Sequence, residues 1–200
     1  MLIDMIPANV AVTWEVEEPD GSSDEALASR GDAGSFTLLY RRHLRPVYSY
    51  LYARLGNAQD AEDVTSLTFE RAWTGLKSYR RTDTGSFKGW LFTIAHRALV
   101  DRYRRKEARS STAGEVPATL RDPARGPEDQ AVISEQVHQV LDAIDGLSRE
   151  QQEVVGLRFL GELPYKEIAS VVGKREAAVK MIAYRALEEI RRRCGDDYTR

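Results

Sequence analysis

Between Phe69 and Arg105 the chain sets flat rings among cations. Phe69, Trp73, Tyr79, Phe87, Trp90, Phe92 and Tyr103 stand beside Arg71, Lys77, Arg80, Arg81, Lys88, Arg97, Arg102, Arg104 and Arg105. Single-stranded nucleic acid needs both groups: rings accept unstacked bases at about 1–3 kcal/mol each, and cations follow the phosphates. Some of these rings must serve a core, Trp90 and Phe69 first, which leaves the loop Tyr79–Phe87 best placed to meet a base. Catalytic chemistry finds no such support. His43, His96 and His138 are scattered, none with a metal-ligating partner three or four residues on. No glycine-rich phosphate loop occurs, and Asp60, Glu62 and Asp63 are too close in sequence for a general acid–base pair. The chain is expected to be no enzyme and to need no metal or cofactor.

A second set of residues points to duplex DNA. From Leu163 to Arg193, Pro164 suits a first helical turn, and Ile168, Ala169 and Val172 form one apolar stripe. Gly173 supplies a left-handed exit, and Val179, Ile182, Ala183, Ala186, Leu187 and Ile190 make the inner side of a following helix. Arg175, Glu176, Lys180, Met181, Tyr184 and Arg185 are left facing outward. The arrangement is similar to a helix-turn-helix, whose second helix enters the major groove. Helix hairpins with a glycine turn also occur in proteins that bind nothing, so the rest of the chain has to decide.

The elements that carry these residues are all helical. Ser23 opens a short helix stopped at Gly31; Phe36, Leu39, Tyr40, His43, Val47, Tyr50, Leu51 and Leu55 trace a long one ended by Gly56-Asn57. Pro46 predicts a kink or a break within it. A third helix begins near Asp60 with Val64, Leu67, Thr68, Ala72 and Leu76 inward, and a break spans Ser78–Ser86. A fourth runs from about Phe87 to Lys106 on Trp90, Leu91, Ile94, Ala95, Ala98 and Leu99. Residues 107–130, with three prolines and two glycines, read as a flexible linker. Ile133, Val137, Val140, Leu141 and Ile144 then space one helix, and Ser148 to Gln151 forms a capping box for another that ends at Gly161. The expected fold is all-α: two small helical domains joined by a flexible linker, the C-terminal one a helix-turn-helix.

With 200 residues, 42% hydrophobic and 30% charged, the chain has the composition of a soluble globular protein of one large or two small domains. Its net charge of −2 conceals segregation. Residues 1–22 hold the acids Asp4, Glu15, Glu17, Glu18 and Asp20 and no base, whereas residues 71–109 hold eleven Lys or Arg against Asp83, Asp101 and Glu107. A basic surface for a polyanion follows, with a solvated helix face as the bland alternative. The lone Cys194 excludes an intramolecular disulfide and a cysteine-rich zinc site. No apolar run approaches the ~18–20 residues of a membrane span, and no signal peptide opens the chain, so a cytoplasmic location is expected.

The segments DEALASRGDAGSFTLLYRRH, DAEDVTSLTFERAW, SFKGWLFTIAHRALVDRYRRK and LPYKEIASVVG together resemble the sigma-70 family, in its small extracytoplasmic-function group, in the family's order over about residues 24–193. Residues 1–22, acidic and without a sustained period, read as a flexible extension; the resemblance implies a region 2 domain at 23–106, a linker at 107–130 and a region 4 domain at 131–194, followed by a tail at 195–200. It implies a factor that binds core RNA polymerase and directs initiation from promoters by reading −35 and −10 elements and helping to open the DNA. Asp60, Glu62, Asp63, Thr65, Phe69, Arg71 and Trp73 would serve the contact with the clamp helices of the largest subunit, the outward acids and polar groups meeting basic residues there with Phe69 and Trp73 packing behind. The second domain would meet the flap of the second largest. Tyr79, Arg80, Arg81, Phe87, Lys88, Trp90, Arg97 and Arg104 would read the −10 element, where the family captures a flipped-out base. Arg175, Glu176, Lys180, Tyr184 and Arg185 would meet the −35 element. An anti-sigma partner is also implied.

Three departures mark this chain. Ser66-Leu67 stands where the family usually has a polar pair, Arg97 replaces the asparagine of the IAxN block, and the KREAAVKMIAYRAL helix differs from the commoner Gly-Thr-Val-Lys-Ser-Arg form. The competing function is a stand-alone helix-turn-helix regulator with residues 24–106 as an effector or dimerisation domain; the basic, aromatic 71–109 segment argues against it. A protein-interaction module that binds no DNA is the third class.

Overall fold

Short polar residues start the helices and glycines stop them. In a computed structural model that describes residues 23–79, 85–113 and 143–194, α1 (Asp24–Arg30) begins where the Ser23 hydroxyl accepts the Ala26 N–H at 3.2 Å. Helix α2 (Ala33–Leu55) is capped by Asp32, which accepts from Ser35 N at 2.9 Å, and α3 (Ala58–Gly75) by Asn57, which accepts from Asp60 N at 2.8 Å. A 3₁₀ turn, Leu76–Ser78, follows α3, and α4 spans Phe87–Ala113. After a further helical turn at 143–145 come α5 (Arg149–Val155), a π-helical turn (Gly156–Leu160), α6 (Tyr165–Val172) and α7 (Glu176–Cys194). The capping box expected at Ser148 is present: its hydroxyl accepts from Gln151 N and the Gln151 side chain accepts from Ser148 N.

Three expectations about these elements are corrected. Pro46 neither ends nor interrupts α2. The ring removes one backbone donor, but Val47, Tyr50 and Leu51 immediately after it are fully buried, and that packing carries the helix through. Helix α4 continues past Lys106 to Ala113, into residues assigned to the linker, because they contain no proline or glycine before Gly114. The helix after Ser148 changes at Gly156 to a π turn, closed by Gly161 N–H to Gly156 C=O at 3.0 Å, rather than running on as α-helix. The 1–22 extension, His138, the rest of the linker, most of the Ile133–Ile144 helix and the tail lie outside the described residues.

The core begins in the first unit and does not stop there. Leu27, Leu39, Val47, Tyr50 and Leu51 meet Ala61, Val64, Phe69 and Ala72 of α3 and Leu91, Phe92, Ala95 and Leu99 of α4. Val154, Leu157, Leu163, Ile168, Val179 and Ala183 belong to the same cluster, so the two expected helical domains are docked on each other across α2 and α4. A smaller cluster, Leu147, Val155 and Ala186 with Phe159 and Ile190, ties α5 to α7. Leu51 has no solvent exposure. Leu51→Ala is therefore expected to cost about 2–5 kcal/mol, read as a lower urea midpoint in equilibrium unfolding.

Candidate nucleic-acid interface

The α6–α7 pair has the geometry of a recognition hairpin. Gly173, at φ 68°, turns the chain between the helices, and Lys174 N–H closes back on Ala169 C=O at 2.9 Å. Ile168, Ala169 and Val171 of α6 and Val179, Ala183 and Ala186 of α7 form the buried seam; Leu187, expected inside, is exposed. Arg175, just before α7, and Lys180, Met181, Tyr184 and Arg185 along its first half face solvent. Glu176 is half-buried and pairs with Lys180, Oε1 to Nζ 2.6 Å. Four of the five residues expected to face a major groove thus share one helix and Arg175 immediately precedes it, with an internally neutralised ion pair at the helix start.

The segment expected to read single-stranded DNA is placed differently. Tyr79 and Phe87 are buried, their rings 5.6 Å apart and edge-on, and both pack against Trp90. Expected to offer rings to bases, both instead face the core in this arrangement and flank the loop from inside. Arg80 and Arg81 lie outside the described residues. Arg97 and Arg104 are exposed on α4 and Trp90 is half-buried. Lys88 is engaged by the second unit, Nζ to Glu162 Oε2 at 2.9 Å. Glu162 holds that position from a left-handed backbone, φ 49°, the one such non-glycine among the described residues.

Helix α3 sorts its expected contact residues onto two faces. Glu62, Asp63 and Trp73 are exposed, with Ser66 and Glu70 completing the outward stripe. Trp73, 44% exposed, leans on Phe36 with ring centroids 5.0 Å apart. Asp60 turns the other way, to the Arg102 guanidinium of α4. Burial raises its carboxyl, but hydrogen bonds from Asn57 and Arg102 and the charges of Arg102 and Lys106 outweigh that and hold it below its ordinary value. Thr65 and Phe69 are buried, and Arg71 reaches Asp101 of α4 at 3.5 Å. Phe69 thus lies in the core, as its ring was read to do, and Asp60 and Thr65 back the exposed stripe from inside. His43 is a packed helix residue: its Nε2 meets Asp24 Oδ2 at 2.6 Å, with Arg42 beside it.

The junction of the two units is a feature that sequence reasoning missed. Glu153 of α5 is buried, yet its Oε1 meets the Tyr50 hydroxyl and His96 Nδ1, the latter at 2.7 Å, and its Oε2 accepts from Arg54 Nε at 3.2 Å. Burial alone raises a carboxyl, but the hydrogen bond and charge of His96, the charge of Arg54 and the Tyr50 hydrogen bond more than offset it, and Glu153 is held below its ordinary value. Burial and the Glu153 charge push the Tyr50 hydroxyl well up, which keeps it a donor. At the other end, Glu167 of α6 accepts from Ser86 N at 3.0 Å and from Ser86 Oγ at 2.9 Å, across the N-terminus of α4. Close approach is built in: a Cβ on Gly89 would lie 2.7 Å from Glu167 Oε2, and one on Gly161 would lie 2.9 Å from the Phe92 ring. One signal was available: Glu153 and Leu157 share a face at i, i+4, and an acid on an apolar face needs partners from elsewhere. Among the described residues no group of metal-ligating side chains occurs, and no helix is long and apolar enough to cross a membrane.

Comparison with known proteins matches the Sigma-70 region 2 family over residues 39–109 and the Sigma-70 region 4 family over residues 138–190. The ECF RNA polymerase sigma factor BldN of Streptomyces coelicolor is 39% identical over 85% of this chain, which spans 64% of that relative's length. The ECF RNA polymerase sigma factor SigE of Mycolicibacterium smegmatis is 30% identical over 88% of this chain and 68% of the relative. The solved structure of the sigma factor RpoE with the anti-sigma factor NepR from Bartonella quintana shares the fold, with a TM-score of 0.69 at 20% identity over 84% of this chain and 100% of that one.

Proposed function

Because this chain belongs to the sigma-70 family of RNA polymerase sigma factors, in its extracytoplasmic-function group, we propose that it docks on core polymerase through the outward stripe of α3 and reads promoters at two points. The exposed face of α7 takes the −35 major groove, and the α4 segment with the loop before it takes the −10 element. The observation that carries this is the outward set of Arg175, at the entry to the second helix of the hairpin, and Lys180, Tyr184 and Arg185 on it. Glu62, Asp63 and Trp73 face the clamp helices of the largest subunit, and the second unit meets the flap of the second largest. An anti-sigma protein is a further partner: the Bartonella quintana neighbour is seen bound to one.

Promoter geometry demands that the two units part. Elements centred near −35 and −10 are about 25 base pairs apart, about 85 Å along a duplex at ~3.4 Å per pair. Glu167 and Ser86 touch at 2.9 Å, so the docked arrangement cannot span both. The chain between Ala113 and Ala143 has a contour of about 100 Å at ~3.3–3.6 Å per residue, enough to allow the separation. The docked structure is that of the free factor, and polymerase and promoter take the open one.

The deciding experiment adds the full-length chain to core polymerase and measures transcription from a pool of promoter fragments. Initiation at defined start sites, dependent on the chain, is expected; no initiation from any fragment overturns the proposal. Arg185→Ala in the same assay is expected to lower initiation about 10-fold on promoters that depend on the upstream element, the effect of one lost Arg–base or Arg–phosphate contact.

A further inference from the structure

The outward face of α7 carries an apolar stripe that phosphate contacts do not explain. Ala177 and Ala178 are exposed there, together with Met181 at 51% and Tyr184 at 58%. Water-facing side chains of that size are scarce elsewhere among the described residues; apart from Leu187 on the same helix, they are Tyr40 and Trp73. The polar readers on this face are largely occupied. Glu176 and Lys180 hold each other at 2.6 Å, and Lys174 holds Glu150 at 2.5 Å. Arg175 and Arg185 remain at the borders of the stripe.

A duplex offers one apolar group in its major groove, the C5-methyl of thymine. We propose that Met181 and Tyr184 select thymine in the −35 element by packing on that methyl. This deepens the −35 reading above and rests on it. Ala177 and Ala178 let the helix approach closely, and Arg175 and Arg185 hold phosphates or guanine edges on either side. Spacing agrees: three residues advance about 4.5 Å along a helix, so Met181 and Tyr184 address adjacent or next-but-one pairs. The competing occupant is an apolar helix of a protein partner; the arginines bordering the stripe favour a polyanion.

The test uses holoenzyme formed from core polymerase and the full chain, and duplexes selected from a pool randomised across the upstream element. Thymine is expected at two or more fixed positions. Replacing each by deoxyuridine removes the methyl and leaves every hydrogen-bonding group, and is expected to weaken binding about fourfold per methyl, the loss of one buried carbon. Met181→Ala is expected to bind the thymine and deoxyuridine forms equally at one position, and Tyr184→Ala at another; both side chains are exposed, so unchanged helical content accompanies the effect. Equal affinity of the unmodified factor for both forms at every position overturns the inference. So does a Met181→Ala chain that keeps its thymine preference but loses a protein partner. A pool that yields no upstream sequence at all sinks the −35 reading itself, which separates the two failures.

Discussion

Replacing Glu153 by alanine is expected to part the two helical units without unfolding either. The carboxylate is buried and is shared by Tyr50, Arg54 and His96 from the other unit, with the Gln152 side chain also accepting from Arg54 at 2.5 Å. Removing one member of such a set strands the Arg54 guanidinium, itself buried, at a cost of about 3–5 kcal/mol. The first unit keeps most of its own core, and opening rehydrates Arg54, so the chain escapes the penalty by undocking. A shift of two orders of magnitude or more in the docking equilibrium follows. Fluorophores on cysteines at the exposed Ser66 and Ser170, in a Cys194→Ser background, should show a fall in energy transfer with unchanged far-ultraviolet dichroism. Unchanged transfer in Glu153→Ala overturns the assignment of this carboxylate as the lock.

Acid should do the same, and the sign follows from the shift. Glu153 is held below its ordinary value when docked, so the docked state binds fewer protons than the open one. The lock is complete above the ordinary carboxylate value, 4.5, and is lost as pH falls through the lower docked value. The groups facing Glu153 are Tyr50 and Arg54 from α2 and His96 and Tyr103 from α4. Asp24 and Asp60 are also held low, against the opposing effect of burial, and add acid sensitivity inside the first unit. The informative quantity is therefore the difference between the unmodified chain and Glu153→Gln, which retains the shape and lacks the titration. Energy transfer that falls with acid equally in both would remove Glu153 from the account.

How much of this was legible from the residues depends on whether the signal was local. Ser23, Ser148 and Gly173 act within a turn of themselves, and the structure uses each as its type demands. Pro46 is also a local signal, but buried neighbours on the same helix overrode it. The alternation of rings and cations from Phe69 to Arg105 was a compositional signal, and composition does not say which way a ring points. Phe87 lies one turn before Leu91, on the buried side of α4, and goes inside; Trp73, on the same helix as buried Phe69, goes out. The docking of the units was the least legible, because Glu153 and its partners Tyr50 and His96 lie 103 and 57 residues apart in sequence. Only the oddity of an acid on an apolar face announced it.

The α3 stripe gives the second large effect, and its value lies in the contrast with the residues behind it. Glu62, Asp63, Ser66, Glu70 and Trp73 are exposed along one side, whereas Asp60, Thr65 and Phe69 face into the protein. A half-exposed tryptophan braced on Phe36 is a preorganised anchor, and interface tryptophans of that kind lose about 2–4 kcal/mol on truncation. Trp73→Ala is therefore expected to weaken core polymerase binding about 30- to 1,000-fold. Adding Glu62→Lys and Asp63→Lys replaces attraction to a basic partner surface by repulsion and lowers the association rate further, an effect that shrinks as salt is raised. None of the three side chains supports the core, so the thermal midpoint of the free chain should barely move. Asp60→Ala should do the reverse: it releases Arg102 inside the protein, lowering the midpoint while sparing polymerase affinity in whatever fraction stays folded. Competition binding to core polymerase against a labelled unmodified chain reads both variants. Retained affinity in Trp73→Ala, or a loss in Asp60→Ala as large as in Trp73→Ala at equal folded fraction, would show that the contact runs through a different face of α3, because the two side chains point away from each other and cannot serve one flat partner surface alike.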